Sequence, residues 1–196
     1  VVMRGGEIQL RFFSESVDVM HRVINIIRYL YRRELPMICQ KNESLQIEPI
    51  YSTLLDSEEL DRFIEQSGFD LLGDYREEKT RILSRLRSEV NSKAYVRGAF
   101  LGGGSIVDPH KSYHFEIVTT KKSDMEILKE VFDSMDLKAK CTKRKNHNVI
   151  YFKDSEAIAD CLVCMGATNA MLALEDVKAY KEIRNDANRR TNADAA

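Results

Sequence analysis

The residues of this chain best suited to chemistry are basic side chains that could contact a nucleic acid. Five of them crowd a short predicted hairpin with no acid between them: Lys138, Lys140, Lys143, Arg144 and Lys145. Phosphates bound by such a hairpin would release counterions, so each contact would add salt-dependent affinity. A charged hairpin also serves solubility alone, and the sequence leaves both interpretations open.

Two predicted strands add polar residues on the face that points away from a core. Residues 7–13 alternate apolar and polar types, which places Gln9 and Arg11 on the free face. A second strand of the same pattern places His114 and Glu116 there. Glutamine and arginine suit base edges, whereas Glu116 would repel phosphate. A plain solvated sheet face is an equal alternative to a DNA-binding one.

Nothing in the sequence indicates catalysis or a metal site. The four histidines are scattered, and none has a second ligand at helical spacing: His21, His110, His114 and His147. No Ser-His-Asp order, phosphate-binding glycine loop or nucleotide fingerprint is present either. We therefore predict no catalytic residue, no metal and no cofactor.

Charge and hydropathy limit the class of protein. The chain has 196 residues and a net charge of −1, from 30 Lys and Arg against 31 Asp and Glu. It therefore has no global field that would draw it to DNA, which argues against strong DNA affinity by this chain alone. No apolar run approaches the roughly 20 residues that cross a bilayer, so we expect a cytoplasmic protein with no membrane partner.

An internal repeat positions the candidate residues. Each half contains a strand, an amphipathic helix, a hairpin and a short helix, and Phe115 follows Leu10 by 105 positions. This order predicts an α+β fold of two pseudo-repeated units, with curved antiparallel sheets backed by helices. The first amphipathic helix is expected to bury the stripe Val19, Val23, Ile26, Ile27 and Leu30, and the second the stripe Ile127, Leu128, Val131, Phe132 and Met135.

Cysteine spacing favours structural thiols over zinc. Cys161 and Cys164 are spaced C-x-x-C in an apolar helical run, but zinc ribbons need two such pairs. Cys39 and Cys141 lie in strand-like runs, at places that the repeat makes equivalent. We predict buried, inert thiols at all four positions.

Two glycines at helical spacing indicate a close contact between helices. Gly98 and Gly102 are four residues apart and share one helix face, where another backbone could approach. Each glycine costs a helix about 1 kcal/mol relative to alanine, so a helix interface is the expected compensation. A plain C-terminal cap at Gly103 or Gly104 is the alternative, but it does not explain Gly98.

The stretch from Val96 to Ser105 resembles the LAGLIDADG motif of homing endonucleases. In that family a carboxylate just before the final glycine binds the divalent metal used for phosphodiester hydrolysis. The matching position here is Gly103, and Leu101 replaces a second position that is often acidic. A metal-activated water needs anionic oxygen ligands, so the resemblance implies the nuclease fold without its activity.

A longer resemblance is to the WhiA family of bacterial sporulation regulators. It is carried by residues 97–105, Asp108-Pro109, residues 111–114, residues 166–170, Arg184-Asn185 and Asn188-Arg189. That family couples a degenerate LAGLIDADG domain to a C-terminal helix-turn-helix domain, and it acts in transcription and cell division. The resemblance implies a non-catalytic domain of a DNA-binding transcriptional regulator, associated with the nucleoid.

The same resemblance implies partners. DNA is expected to bind this domain only weakly, and RNA polymerase, a sigma factor or another transcription regulator is a possible protein partner. Arg184 and Arg189 fall in the segment that joins the two domains of the family, which makes them DNA-binding candidates. A frayed terminal helix with solvated side chains is at least as good an interpretation of that segment.

Domain boundaries follow from the repeat. Residues 1–73 are the first unit, which opens at a strand with residues 1–6 as a turn, 74–94 a connecting helix, 95–168 the second unit, and 169–196 a C-terminal helix and linker. The first unit lacks an opening glycine helix and the tail has no helix-turn-helix pattern, so we expect a fragment. The glycine face would then have no partner within the chain, which favours a dimer.

Two other functions compete with the regulator. A DNA nickase would need an acid on an unseen first helix, together with magnesium. A protein-interaction scaffold would never contact DNA, and the near-zero net charge favours it.

Overall fold

Two four-stranded antiparallel sheets form where the alternating patterns predict strands. The computed structural model of the chain describes residues 2–4, 7–42, 47–67 and 75–194. The chain divides into two compact units, Val1–Glu78 and Lys79–Ala196. The elements confirm the predicted α+β class.

Within its described residues, the first unit contains one sheet and two complete helices. Its strand order is β1-β2-β4-β3. Its elements are β1 (Val2–Arg4), β2 (Glu7–Ser14), α1 (Val17–Tyr31), β3 (Ile38–Asn42), β4 (Ile47–Leu55) and α2 (Ser57–Ser67).

The second unit repeats this order and adds helices at both ends. Its strand order is β5-β6-β8-β7. A helix that spans the boundary between the units, α3 (Tyr75–Arg85), is followed by α4 (Glu89–Gly103), β5 (Gly104–Ile106), β6 (Phe115–Thr119), α5 (Lys122–Ser134), β7 (Lys140–Arg144), β8 (His147–Phe152), α6 (Ser155–Cys164) and α7 (Thr168–Asp194).

The two sheets share a register as well as a strand order. Leu10 of β2 pairs with Leu55 of β4, and Phe115 of β6 pairs with Phe152 of β8. Each of these pairs begins a ladder of five successive pairs that runs in the same direction in both sheets. The predicted repeat is therefore confirmed.

Side-chain caps stabilise the first turns of α2 and α6, each of which follows a strand. Asp56 accepts a hydrogen bond from the Glu59 amide at 2.9 Å, and Glu59 accepts one from the Asp56 amide at 3.3 Å, which together form a capping box. Asp154 caps α6 by accepting from the Ala157 amide at 3.0 Å. Each cap is worth about 1 kcal/mol.

Aromatic rings fill the core of the second unit. Phe115, Phe132 and Phe152 are buried, and the Phe132 and Phe152 ring centroids lie 5.1 Å apart, edge to face. Phe100 of α4 stacks on Phe115 at 5.0 Å. The predicted stripe of α5 contributes four fully buried residues: Ile127, Leu128, Val131 and Phe132.

The predicted stripe of α1 is wrong at two positions. The helix buries Ile27 as predicted, together with Met20 and Ile24, which the stripe did not include. Ile26 is 52% exposed and Leu30 is 53% exposed, because the buried face is centred one residue later along the helix than the apolar pattern suggested.

Two predicted segments differ in the structure. Residues 2–4 are strand β1, paired with β2, where the repeat predicted a turn. The connecting helix predicted over 74–94 is two helices. The first, α3, ends at Arg85, and Ser88 caps the start of α4 by accepting a hydrogen bond from the Asn91 amide at 3.3 Å. The glycine helix therefore begins at Glu89.

The cysteines divide into two pairs. Cys161 and Cys164 are buried as predicted, and burial raises the pKa of the Cys161 thiol. Cys39 and Cys141 are exposed, so the prediction of burial is wrong for both. They lie on the edge strands β3 and β7, which have a neighbouring strand on one side only.

The long helix α7 attaches to the second unit through its first half. Leu174 and Val177 are buried, and Lys181 Nζ donates to the Pro109 carbonyl at 2.6 Å while lying 4.5 Å from the centroid of the Tyr113 ring. Residues 182–193 are exposed. Although α7 has 27 residues, no helix among the described residues is apolar enough to span a bilayer.

Lys181 is expected to stabilise the attachment of α7. Lys181→Met keeps most of the stem but removes the hydrogen bond and the cation–π contact, so the free energy of unfolding should fall by about 1 to 2 kcal/mol. Urea denaturation measures this, with exposed Arg184→Met on the same helix as the control. Equal stability of the two variants would contradict the proposed clamp.

Candidate nucleic-acid interface

The outer face of the second sheet is defined by burial on the opposite face. Phe115 and Ile117 are buried, so the alternation of β6 turns Glu116 to the other side. The register places Glu116 opposite Tyr151, and Tyr151 opposite Lys140. These three side chains therefore form one row across the outer face.

A carboxylate-centred cluster occupies this face. His114 Nε2 lies 2.9 Å from Glu116 Oε2, and the Arg144 guanidinium donates to both Glu116 oxygens, at 3.3 and 3.1 Å. The hydrogen bond to His114, together with that to Arg144, lowers the pKa of the Glu116 carboxyl below its usual value. The Glu116 side chain is 12% exposed and that of Arg144 is 61% exposed.

An aromatic side chain extends the same face. The His114 ring stacks on Tyr151 with centroids 5.9 Å apart, and Lys153 Nζ lies 5.7 Å from the Tyr151 centroid. An exposed edge of aromatic rings beside a cation is a surface on which a base can stack. Sequence reasoning missed Tyr151 and Lys153, although the alternation of β8 could have indicated both.

The predicted basic hairpin is present, and its charges are not equivalent. Lys140, Lys143 and Lys145 are exposed, and within the described residues none of them is paired with a carboxylate. Lys145 adopts a left-handed backbone conformation (φ 54°) in the two-residue turn between β7 and β8. Arg144 differs, because Glu116 neutralises it.

The first sheet carries a different network on its outer face. Arg11 donates to Gln40 Oε1 at 3.0 Å and to Ser52 Oγ at 3.1 Å. Both acceptors are neutral, so Arg11 keeps its full charge. Gln9 is partly buried, two residues earlier on β2. Sequence reasoning missed Gln40 and Ser52, because both meet Arg11 only through strand pairing.

The candidates near the C-terminus lie on a different element. Arg184 and Arg189 are exposed on α7, and Arg189 lies 3.7 Å from Asp186. Within the described residues no bond joins either arginine to the residues of the sheet. Their role in DNA binding stays a prediction.

The glycine face of α4 is open among the described residues. No heavy atom lies within 4 Å of a Cβ placed on Gly98 or Gly102. The structure therefore shows no helix contact there that would explain the two glycines, and a dimer through this face stays a prediction.

Gly103 has a different environment from the other helix glycines. A Cβ placed on Gly103 would lie 2.5 Å from the Val118 carbonyl oxygen, which is closer than real contacts allow. The missing carboxylate therefore cannot be restored here without moving β6. Among the described residues no group of three or more His, Cys, Asp or Glu side chains could hold a metal ion.

Comparison with known sequences gives a consistent set of relatives. A family model described as the WhiA LAGLIDADG-like domain matches residues 92–184. The chain is 32% identical over 200 residues to the probable cell division protein WhiA of Alkaliphilus metalliredigens, covering 97% of the chain and 61% of that protein. It is 34% identical over 206 residues to the protein of the same name in Thermoanaerobacter pseudethanolicus, with 97% and 61% covered.

Solved structures show the same fold. Full-length DUF199/WhiA from Thermatoga maritima matches with a TM-score of 0.65 at 17% identity, over 95% of this chain and 62% of that one. The homing endonuclease I-DmoI in complex with DNA and Mn matches with a TM-score of 0.57 at 11% identity, over 84% and 86%. The predicted LAGLIDADG-type fold is thus confirmed.

The helix glycines are expected to respond oppositely to alanine. Gly103→Ala should lower the free energy of unfolding by about 2 kcal/mol, because the new Cβ meets the Val118 carbonyl. Gly102→Ala should raise it by about 0.5 to 1 kcal/mol, since its Cβ enters open space in a helix. Thermal melting compares them, and a Gly102→Ala variant as unstable as Gly103→Ala would mean that the face is covered in solution.

Proposed function

The chain belongs to the WhiA family and has its LAGLIDADG-like fold, and on that premise we propose that it is a non-catalytic, DNA-binding part of a transcriptional regulator of cell division and sporulation. The relatives named as probable cell division proteins support the cellular role. The chain covers 61% of their length, so the activity of the whole protein is part of the proposal.

The observation that carries the proposal is the group of cations along the edge of the second sheet that have no carboxylate partner among the described residues. Lys140, Lys143 and Lys145 are exposed, and the side chains that accept hydrogen bonds from Arg11 on the first sheet, Gln40 and Ser52, are neutral. Cations of this kind bind phosphates by releasing counterions, without regard to sequence. A solved protein of the same fold, I-DmoI, is in complex with DNA, which supports DNA as the partner.

Weak binding follows from the rest of the charge distribution. The net charge of −1 gives no long-range attraction, and Glu116 places a carboxylate on the proposed surface. We therefore assign tight, sequence-specific binding to a further domain of the regulator, the helix-turn-helix domain that the family resemblance implies.

Absence of catalysis is supported at Gly103. A nuclease of this fold needs a carboxylate near the end of the glycine helix to hold its divalent metal. The Val118 carbonyl occupies the space that any side chain of residue 103 would enter. A nickase would have to take every metal ligand from elsewhere, so we propose that this chain does not cleave DNA.

A second candidate function, docking of a transcription protein, is favoured by α1. Its outer surface exposes Ile26, Tyr29 and Leu30. The matching helix of the repeat, α5, instead carries the i,i+4 ion pair Lys129–Asp133 on its outer surface. Exposed apolar side chains of this kind mark protein interfaces, so RNA polymerase, a sigma factor or another regulator could bind there.

The salt dependence of DNA binding tests the proposed function. Lys143→Gln with Lys145→Gln should weaken binding to a random duplex about tenfold at 100 mM salt and lower the slope of log affinity against log salt by about 2. Fluorescence anisotropy over a salt series measures both quantities.

The matched control is Lys122→Gln with Lys129→Gln. These substitutions remove the same charge, but both lysines lie on α5, which packs on the buried face of the second sheet rather than on its outer face. The control should change affinity far less. Equal losses in the two double variants, or no salt-dependent binding by the unmodified chain, would rule out the proposed surface.

A further inference from the structure

Equivalent positions of the two sheets carry opposite charges. In both sheets the ladder of the central strands begins with an apolar pair, at Leu10 in β2 and at Phe115 in β6. Arg11 and Glu116 are the next residues, so they occupy equivalent positions. On the edge strands, Gln40 pairs with Ile50 of β4, and Arg144 pairs with His147 of β8. Alignment of β4 with β8 by their pairing to the central strands makes these two pairs equivalent, so Gln40 matches Arg144.

Each central residue bonds to the matching edge residue. Arg11 donates to Gln40 at 3.0 Å, and Arg144 donates to Glu116 at 3.1 Å, so both bonds run diagonally across the middle strand. The geometry is shared, but the charge is not. Arg11 with Gln40 is a net cation, whereas Arg144 with Glu116 is neutral.

The Glu116 carboxylate holds two groups that could otherwise face phosphate. It accepts from Arg144 through both oxygens and lies 2.9 Å from His114. A bidentate arginine is oriented by its carboxylate, and a phosphate would have to displace that carboxylate or lie beside its negative charge.

We propose that Glu116 is a built-in counter-charge that weakens non-specific nucleic-acid binding by the second sheet, leaving Arg11 and the hairpin lysines as the main phosphate contacts. This inference rests on the proposed DNA-binding function. A regulator that must find few sites among many benefits from weak non-specific binding, because the ratio of specific to non-specific affinity decides occupancy.

Removal of the counter-charge should strengthen binding. Glu116→Gln keeps the shape of the side chain, frees the charge of Arg144, and is expected to raise affinity for a random duplex about fivefold at 100 mM salt. The slope of log affinity against log salt should steepen by about 0.9, the value for one additional phosphate contact.

The matched control is Glu156→Gln on α6. It makes the same change in net charge, and Glu156 is 73% exposed and paired with Lys178 rather than with a sheet residue. Its affinity should stay within about twofold of the unmodified chain, because exposed charges farther apart than about 10 Å are largely screened at this salt concentration.

The reciprocal variant is Gln40→Glu. It builds the same counter-charge beside Arg11, so affinity should fall about fivefold and the salt slope should become shallower by about 0.9. This variant gains a salt bridge, and it therefore tests the inference even if Glu116→Gln proves unstable.

The outcomes separate the two proposals. Binding by the unmodified chain with no gain in Glu116→Gln and no loss in Gln40→Glu would overturn the counter-charge and leave the proposed function standing. Weaker binding by Glu116→Gln would also overturn it, since the ion pair would then organise the contact. No binding by the unmodified chain or by Glu116→Gln would overturn the proposed function and the inference together.

Discussion

Burial of alternate residues on the central strands is the constraint on which the rest of the structure depends. Phe115 and Ile117 are fully buried beneath the helices, so Glu116 has to face outwards. A slip of one residue would exchange the two faces and expose the core, which makes the direction of Glu116 as fixed as that of Phe115. The core of the unit thus determines which side chains a partner of the outer face can meet.

The same constraint explains how a nearly neutral protein can offer a charged surface. Ion pairs on the helices, such as Lys129–Asp133, neutralise charge where the sheet is covered. Along the edge strand β7 and in the turn after it, Lys143 and Lys145 have no such partner among the described residues. Net charge is therefore a poor guide to phosphate binding by this chain, because the distribution of charged side chains over the surface determines where phosphate can bind. The Gly103 contact with Val118 likewise links the loss of a metal ligand to the packing of α4 on β6.

The periodicity of apolar residues predicted the elements and faces that burial determines. It did not predict the contacts that depend on which strands pair. The strands, the repeat and the buried stripe of α5 follow from apolar spacing, since that spacing reports burial directly. The bond between Arg144 and Glu116 joins residues 28 positions apart, and spacing along one strand carries no information about it. Exposure of Cys39 has a similar origin, because the sequence does not say which strand lies at an edge.

We propose that the outer face of each sheet, and in the second unit also the β7 edge, binds nucleic acid. Chemical-shift changes of the isotope-labelled chain on titration with a random DNA duplex test it most directly. We expect the largest changes at outward residues of β2, β6 and β7, including Arg11 and Lys140, with α1 and α5 unaffected. Changes confined to the exposed residues of α1, or to the end of α7, would contradict the account.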